Sequence, residues 1–149
     1  MAKDPFTGLR IKYCSTMNEH SDFVWKNYIT ASKCPAKTLS IMAHSAGGRV
    51  TADLFKNHKK EFLQRVKSLV FTDAYYHDMF NYATKSDKAI LAEIGINFKI
   101  YKQVEVPFGQ PLKVQNGPIL EVSAGTNVHL RSTGRSLEAI WSFMREKLD

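Results

Sequence analysis

The chain has 149 residues, 44% of them hydrophobic and 23% charged. That composition belongs to a folded domain and excludes disorder as the main state, and no run of about 18 apolar residues supplies a membrane-spanning helix. Lys and Arg number 21 against 14 Asp and Glu, a net charge of +7, which suits anionic surfaces or nucleic acid.

The length fits one domain. Residues 1–7 read as a cloning remnant and carry no expectation about the fold. Residues 9–13 alternate apolar and polar side chains, the pattern of a strand. Ser21 or Asp22 is the expected cap of a helix bearing Phe23, Val24, Trp25, Tyr28 and Ile29. Pro35 breaks the chain before a short apolar run at 38–43, read as a buried strand. Residues 49–63 carry Val50, Leu54, Phe55, Phe62 and Leu63 at helical spacing. The scattered basic residues are densest here, at Lys56, His58, Lys59 and Lys60, a cluster best read as a solvated helix face. A second buried strand follows at 68–72, then a helix at 86–94 closed by Gly95 as C-cap. A strand at 97–101, a Pro- and Gly-rich loop at 106–117, a strand at 118–123 and an amphipathic helix at 135–148 complete the chain.

Strands alternating with helices predict an α/β fold with a mostly parallel sheet flanked by helices. Functional sites in such sheets gather at the carboxyl ends of the strands. The strand at 38–43 ends in Ala43-His44-Ser45-Ala46-Gly47-Gly48 and runs at once into a helix. This is the setting of a nucleophile elbow, with Ala43 where the pattern has glycine. A serine on that turn projects above the sheet. The following amide, that of Ala46, points to where an oxyanion would form, reinforced by the helix N-terminus.

A nucleophilic serine needs a base, and the base an orienting acid. The second strand ends in Asp73, with Asp78 as fallback. The last strand leads to His129, the expected base, with His77 as its competitor. Ser45, Asp73 and His129 would then meet over three carboxyl-terminal loops, in the chain order of this fold class. The bland readings stand beside this one. Asp73 could cap a turn, and His129 could be an exposed loop histidine. His44 is expected to pack or hydrogen-bond, and His20 and His58 to be structural or solvated. Tyr75, Tyr76, Phe80 and Tyr82 suit core or lid packing better than an acyl pocket. Cys14 and Cys34 form no CxxC pair, show no adjacent base and read as packing residues. They fit a reducing compartment, cytoplasmic or nuclear. No spacing suggests a metal site or a cofactor.

Four segments resemble the Argonaute-binding-protein-two (Arb2) domain family of cotranscriptional regulators, in the α/β-hydrolase superfamily. They are Ser15-Thr16-Met17-Asn18-Glu19-His20 with Val24-Trp25, then Ala43 to Gly48, Val70-Phe71-Thr72-Asp73, and Val122-Ser123-Ala124-Gly125-Thr126 running on to His129. The resemblance implies a hydrolase-like domain over 8–149 forming the C-terminal part of a longer one, with Ser45, Asp73 and His129 at triad positions. It implies that the first half of the sheet and a second oxyanion donor precede Gly8. Losing such a donor costs on the order of 10²–10³ in rate. A bared sheet edge would invite a homodimer. Two functions follow. One is a serine esterase or amidase acting on a small ester or amide. The other is a non-catalytic scaffold with Argonaute-type or chromatin protein partners in RNA silencing, chromatin or splicing regulation. Direct nucleic-acid binding is the weaker form of the second, because no recognised RNA-binding motif is present.

Overall fold

The computed structural model describes residues 3–101, 106–113 and 115–148. It is an α/β fold. Four strands, β1 (Leu39–His44), β2 (Val66–Thr72), β3 (Gly95–Lys99) and β4 (Leu120–Ser123), lie side by side in chain order. All three pairings are parallel. Helices α1 (Met17–Val24), α2 (Gly47–Arg65), α3 (Lys85–Ile94) and α4 (Ser132–Leu148) flank them.

The strand alternation fixes the layers. Leu69 and Phe71 of β2 face one side, where they pack with Ala52, Phe55 and Phe62 of α2 and with Leu91 and Ile94 of α3. Val70, between them, faces the other side and joins Phe98, Val122, Ile140 and Met144. α4 therefore covers one face of the sheet, and α2 with α3 the other. A strand covered on both faces reads as an unbroken apolar run, which is why β2 is legible in the sequence.

The two outer edges differ. Residues 110–112 run antiparallel beside β4, where Leu112 N–H donates to Glu121 C=O (3.0 Å) and Ser123 N–H to Gln110 C=O (2.9 Å). The outer edge of β1 pairs with no strand among the described residues.

Two expectations are corrected. Residues 9–13 form no strand. A single antiparallel bridge joins Lys3 and Arg10, and Tyr13 turns the chain at φ 62° and stacks on Phe23 with ring centroids 4.6 Å apart. An alternating pattern becomes a strand only beside a partner, and here its aromatic packs on α1 instead. The first helix is capped by Thr16, not Ser21 or Asp22. Its hydroxyl accepts from Glu19 N–H at 3.0 Å, while Glu19 Oε2 accepts from Ser15 N–H at 2.8 Å, a variant of the reciprocal capping pattern. Asp22 instead pairs with Lys26 and His58. Gly95 is the C-cap of α3, as expected, but in an extended conformation (φ −112°, ψ 143°), and it also opens β3. A side chain there would come within 2.6 Å of Leu91 C=O and 2.9 Å of Ile119, so close packing explains the glycine.

Candidate site at the carboxyl rim of the sheet

β1 delivers Ser45 at the start of a tight strand-to-helix turn. Ser45 has φ 53°, left-handed and unfavourable for a residue with a side chain. Its N–H donates to Thr72 C=O at 3.2 Å, and its C=O accepts from Gly48 N–H (3.2 Å) and Tyr75 N–H (3.1 Å). Small residues make the turn feasible. A Cβ on Gly48 would lie 2.6 Å from the Tyr75 carbonyl oxygen, and one on Gly47 would lie 3.4 Å from Ala43 Cβ. Ala46 is the N-cap of α2 and gives no side-chain cap to the first-turn amides, and no acidic residue sits in that turn. The positive end of the helix therefore faces this rim unneutralised by its own residues.

β2 delivers Asp73, also left-handed at φ 46°. Its N–H donates to Phe98 C=O at 2.8 Å, which ties it to β3. β4 leads through Ala124 and the left-handed Gly125 (φ 61°) to His129, which opens a short 3-10 turn before α4. The His129 Nδ1 and Asp73 Oδ2 atoms are 2.5 Å apart. That is the charge-assisted contact by which a carboxylate fixes an imidazole's tautomer and direction. The Ser45 hydroxyl makes no hydrogen bond to His129 among the described residues.

His44 joins the two sides of the rim. Its ring lies 4.5 Å from that of His129. Its Nδ1 meets Thr72 C=O at 2.9 Å and Thr72 Oγ1 at 3.1 Å, so it hydrogen-bonds and packs as expected. Thr72 Oγ1 in turn bonds Thr133 Oγ1 at 2.7 Å, which brings the first turn of α4 to the same place.

The other candidates lie elsewhere. His77 stacks on Tyr76 and approaches Glu121 at 3.6 Å, not Asp73. Asp78 is exposed on the 3-10 turn His77–Asn81. His58 pairs with Asp22 at 2.7 Å and stacks on Trp25. Lys59 pairs with Asp87, and Lys56 lies over the Tyr82 ring, so the basic cluster of α2 is largely used within the fold. Tyr76 is fully buried, while Tyr75 is exposed beneath the Arg49 guanidinium. One dismissal fails: Cys14 Sγ lies 3.0 Å from His20 Nδ1. The six-residue separation hid that contact, because the turn at Tyr13 folds the thiol back onto α1.

Sequence reasoning also missed Glu121, which has no solvent exposure. It accepts from Tyr76 Oη (3.0 Å), Asn97 Nδ2 (3.0 Å) and Asn116 Nδ2 (2.9 Å), and Lys99 Nζ lies 3.4 Å away. Burial opposes its charge most strongly. The Asn97 bond, the Lys99 charge, and the Asn116 and Tyr76 bonds together outweigh burial and hold the carboxyl below the ordinary glutamate range. Burial and the same carboxylate push the Tyr76 phenol well above its ordinary range. An open groove lined by Thr30, Cys34, Lys37, Glu61 and Arg65 lies at the amino ends of β1 and β2, away from this rim. Among the described residues no three His, Cys, Asp or Glu side chains gather as for a metal ion, and no helix is long and apolar enough to cross a membrane.

Residues 3–97, more than half of the chain, match the Arb2 domain. The chain belongs to the Arb2 domain family. The family match takes in Ser45 and Asp73 and ends before β4. Individual relatives extend further. A human protein designated ARB2BP is 27% identical over 139 residues, 92% of this chain and 37% of its own length. A FAM172 family protein homolog of Caenorhabditis elegans is 24% identical over 138 residues, 93% of this chain and 42% of its own. The human cotranscriptional regulator ARB2A is 25% identical over 142 residues, 93% of this chain and 32% of its own. This Arb2 chain thus spans about a third to two-fifths of the length of these relatives. No solved structure matches it.

Proposed function

We propose that this chain is an Arb2-type regulatory domain that acts with protein or chromatin partners in the nucleus. The supporting observation is the family match over residues 3–97, joined by relatives named cotranscriptional regulators. Chromatin immunoprecipitation of the tagged protein tests it. Enrichment over transcribed genes is expected, and a protein confined to the cytoplasm without chromatin association would refute it. The +7 charge makes RNA an outcome to check: direct binding would weaken steeply with salt, and a flat response would assign the association to protein partners.

A second reading, serine hydrolase chemistry on an α/β-hydrolase-like rim, is favoured by the 2.5 Å contact between Asp73 and His129 and by the left-handed Ser45 at the strand-to-helix turn. In this reading Ser45 Oγ attacks an ester or amide carbonyl. His129 accepts the serine proton and returns it to the leaving group, Asp73 orients His129, and Ala46 N–H holds the oxyanion. A fluorophosphonate probe tests it: covalent labelling that disappears in Ser45→Ala supports the reading, and an unlabelled wild-type protein refutes it.

A further inference from the structure

Glu121 stands out as a costly residue. A buried carboxylate must be compensated on every side, and a well-packed apolar residue of similar volume often serves stability as well or better. Its place in the sheet gives it a task. Ala43 pairs with Phe71, Phe71 with Asn97, and Asn97 with Glu121, so these four residues form one row across all four strands. Phe71 packs in the α2 and α3 layer, and the row faces that layer with it. Tyr76 lies along this row, with its ring stacked on Phe71 (centroids 4.1 Å apart, planes 9° apart) and its hydroxyl 3.0 Å from Glu121. The bond therefore ties the segment that follows β2 to β4.

What Tyr76 anchors is the segment that begins at Asp73. Only Ala74 and Tyr75 lie between the two, and Tyr75, next to the anchor, holds the Ser45 carbonyl through its N–H. Glu121 itself lies on the strand that leads to His129. We propose that Glu121 is a positioning residue of the rim: by fixing Tyr76 to β4, it holds the acid segment in register with the strand that carries His129, so that Asp73 and His129 meet. The catalytic meaning of this device rests on the hydrolase reading above; the geometric claim can be tested separately.

Three variants probe it in the intact chain. Tyr76→Phe removes one hydroxyl and keeps the stacked ring. Glu121→Leu removes the acceptor, and Glu121→Gln keeps a carbonyl oxygen where the hydroxyl needs one. Two readouts are followed: the NMR resonance of the His129 Nδ1 proton, and the rate of fluorophosphonate labelling at Ser45. Tyr76→Phe and Glu121→Leu are expected to displace or broaden the resonance and to slow labelling by about tenfold or more, because small misplacements at a reacting centre are amplified in rate. Glu121→Gln is expected to retain most of both. A purely structural carboxylate would lower the melting temperature and leave both readouts alone. A folded Tyr76→Phe with an unchanged resonance and a labelling rate within twofold of wild type overturns the proposal. If Glu121→Leu does not fold, Tyr76→Phe decides. If the wild-type protein takes no label, the hydrolase reading falls and the resonance alone decides the positioning claim.

Discussion

Asp73 Oδ2 and His129 Nδ1 lie 2.5 Å apart although they are 56 positions apart in the chain. The contact joins the loop after β2 to the loop after β4, across the strand between them. Asp73→Asn keeps the shape and removes the charge, so the imidazole loses the partner that selects its tautomer. In serine hydrolases this change costs about 10⁴ in turnover. Fluorophosphonate labelling is expected to slow by at least about 10²-fold, with the His129 Nδ1 proton resonance lost or moved to that of a solvent-exposed ring. An unchanged resonance would mean that the pair does not form in solution.

Ser45 keeps a side chain at φ 53°, a conformation that costs on the order of 1–2 kcal/mol outside glycine. Ser45→Gly removes that strain, whereas Ser45→Ala retains it. The glycine variant is therefore expected to exceed the alanine variant in unfolding free energy by about 1 kcal/mol, after allowing for glycine's extra freedom in the unfolded chain. Urea denaturation of the two measures the difference. Equal stabilities would show that the turn relaxes when the hydroxyl is gone.

The two glycines after Ser45 should respond differently. A Cβ at Gly48 meets the Tyr75 backbone at 2.6–2.9 Å, whereas one at Gly47 meets only Ala43 Cβ at 3.4 Å. Backbone cannot rotate away as a side chain can. Gly48→Ala is expected to destabilise by about 1–3 kcal/mol and to disturb the Tyr75 to Ser45 hydrogen bond. Gly47→Ala is expected to change stability by less than about 1 kcal/mol. Thermal unfolding of both checks the order, and a Gly48→Ala variant as stable as wild type would show that the loop gives way freely.

How much of this was legible in the sequence depended on range. The strand β2 was readable because it is covered on both faces, β1 as a short apolar run, and the Ala43 to Gly48 turn because small residues mark a close approach. Ser45, Asp73 and His129 could be singled out because each follows a strand, a position the sequence fixes locally. Glu121 could not be found this way. Its row partners Asn97, Phe71 and Ala43 are set by strand register, and a lone acidic residue in Leu120-Glu121-Val122-Ser123 reads as one solvent-facing step of an alternating strand. The failed strand at residues 9–13 has the converse cause, since its pattern is local and the partner it needed is not beside it. The Cys14 to His20 contact was hidden for a third reason: it depends on one residue, Tyr13, turning the chain through a left-handed conformation.

Asp87 gives a pH dependence whose sign can be worked out. It accepts from Thr84 N–H at 2.8 Å in a capping box and pairs with Lys59 at 2.6 Å. The Lys59 bond is the largest cause, and with the Thr84 bonds it outweighs burial to hold the carboxyl below its ordinary value of 3.8. A group whose pKa is lowered on folding stabilises the fold above its unfolded pKa and loses that contribution as pH falls through the folded value. The contribution of Asp87 is therefore present in full at neutral pH and fades below about pH 4. Asp87→Asn removes the charge at every pH and weakens the cap, with an expected cost of about 1 kcal/mol at pH 7. The gap between the two proteins should narrow as the pH is lowered from 5 to 2. Urea unfolding across that range measures it, and a gap that stays constant would show that the carboxylate's charge adds nothing beyond what a neutral amide supplies.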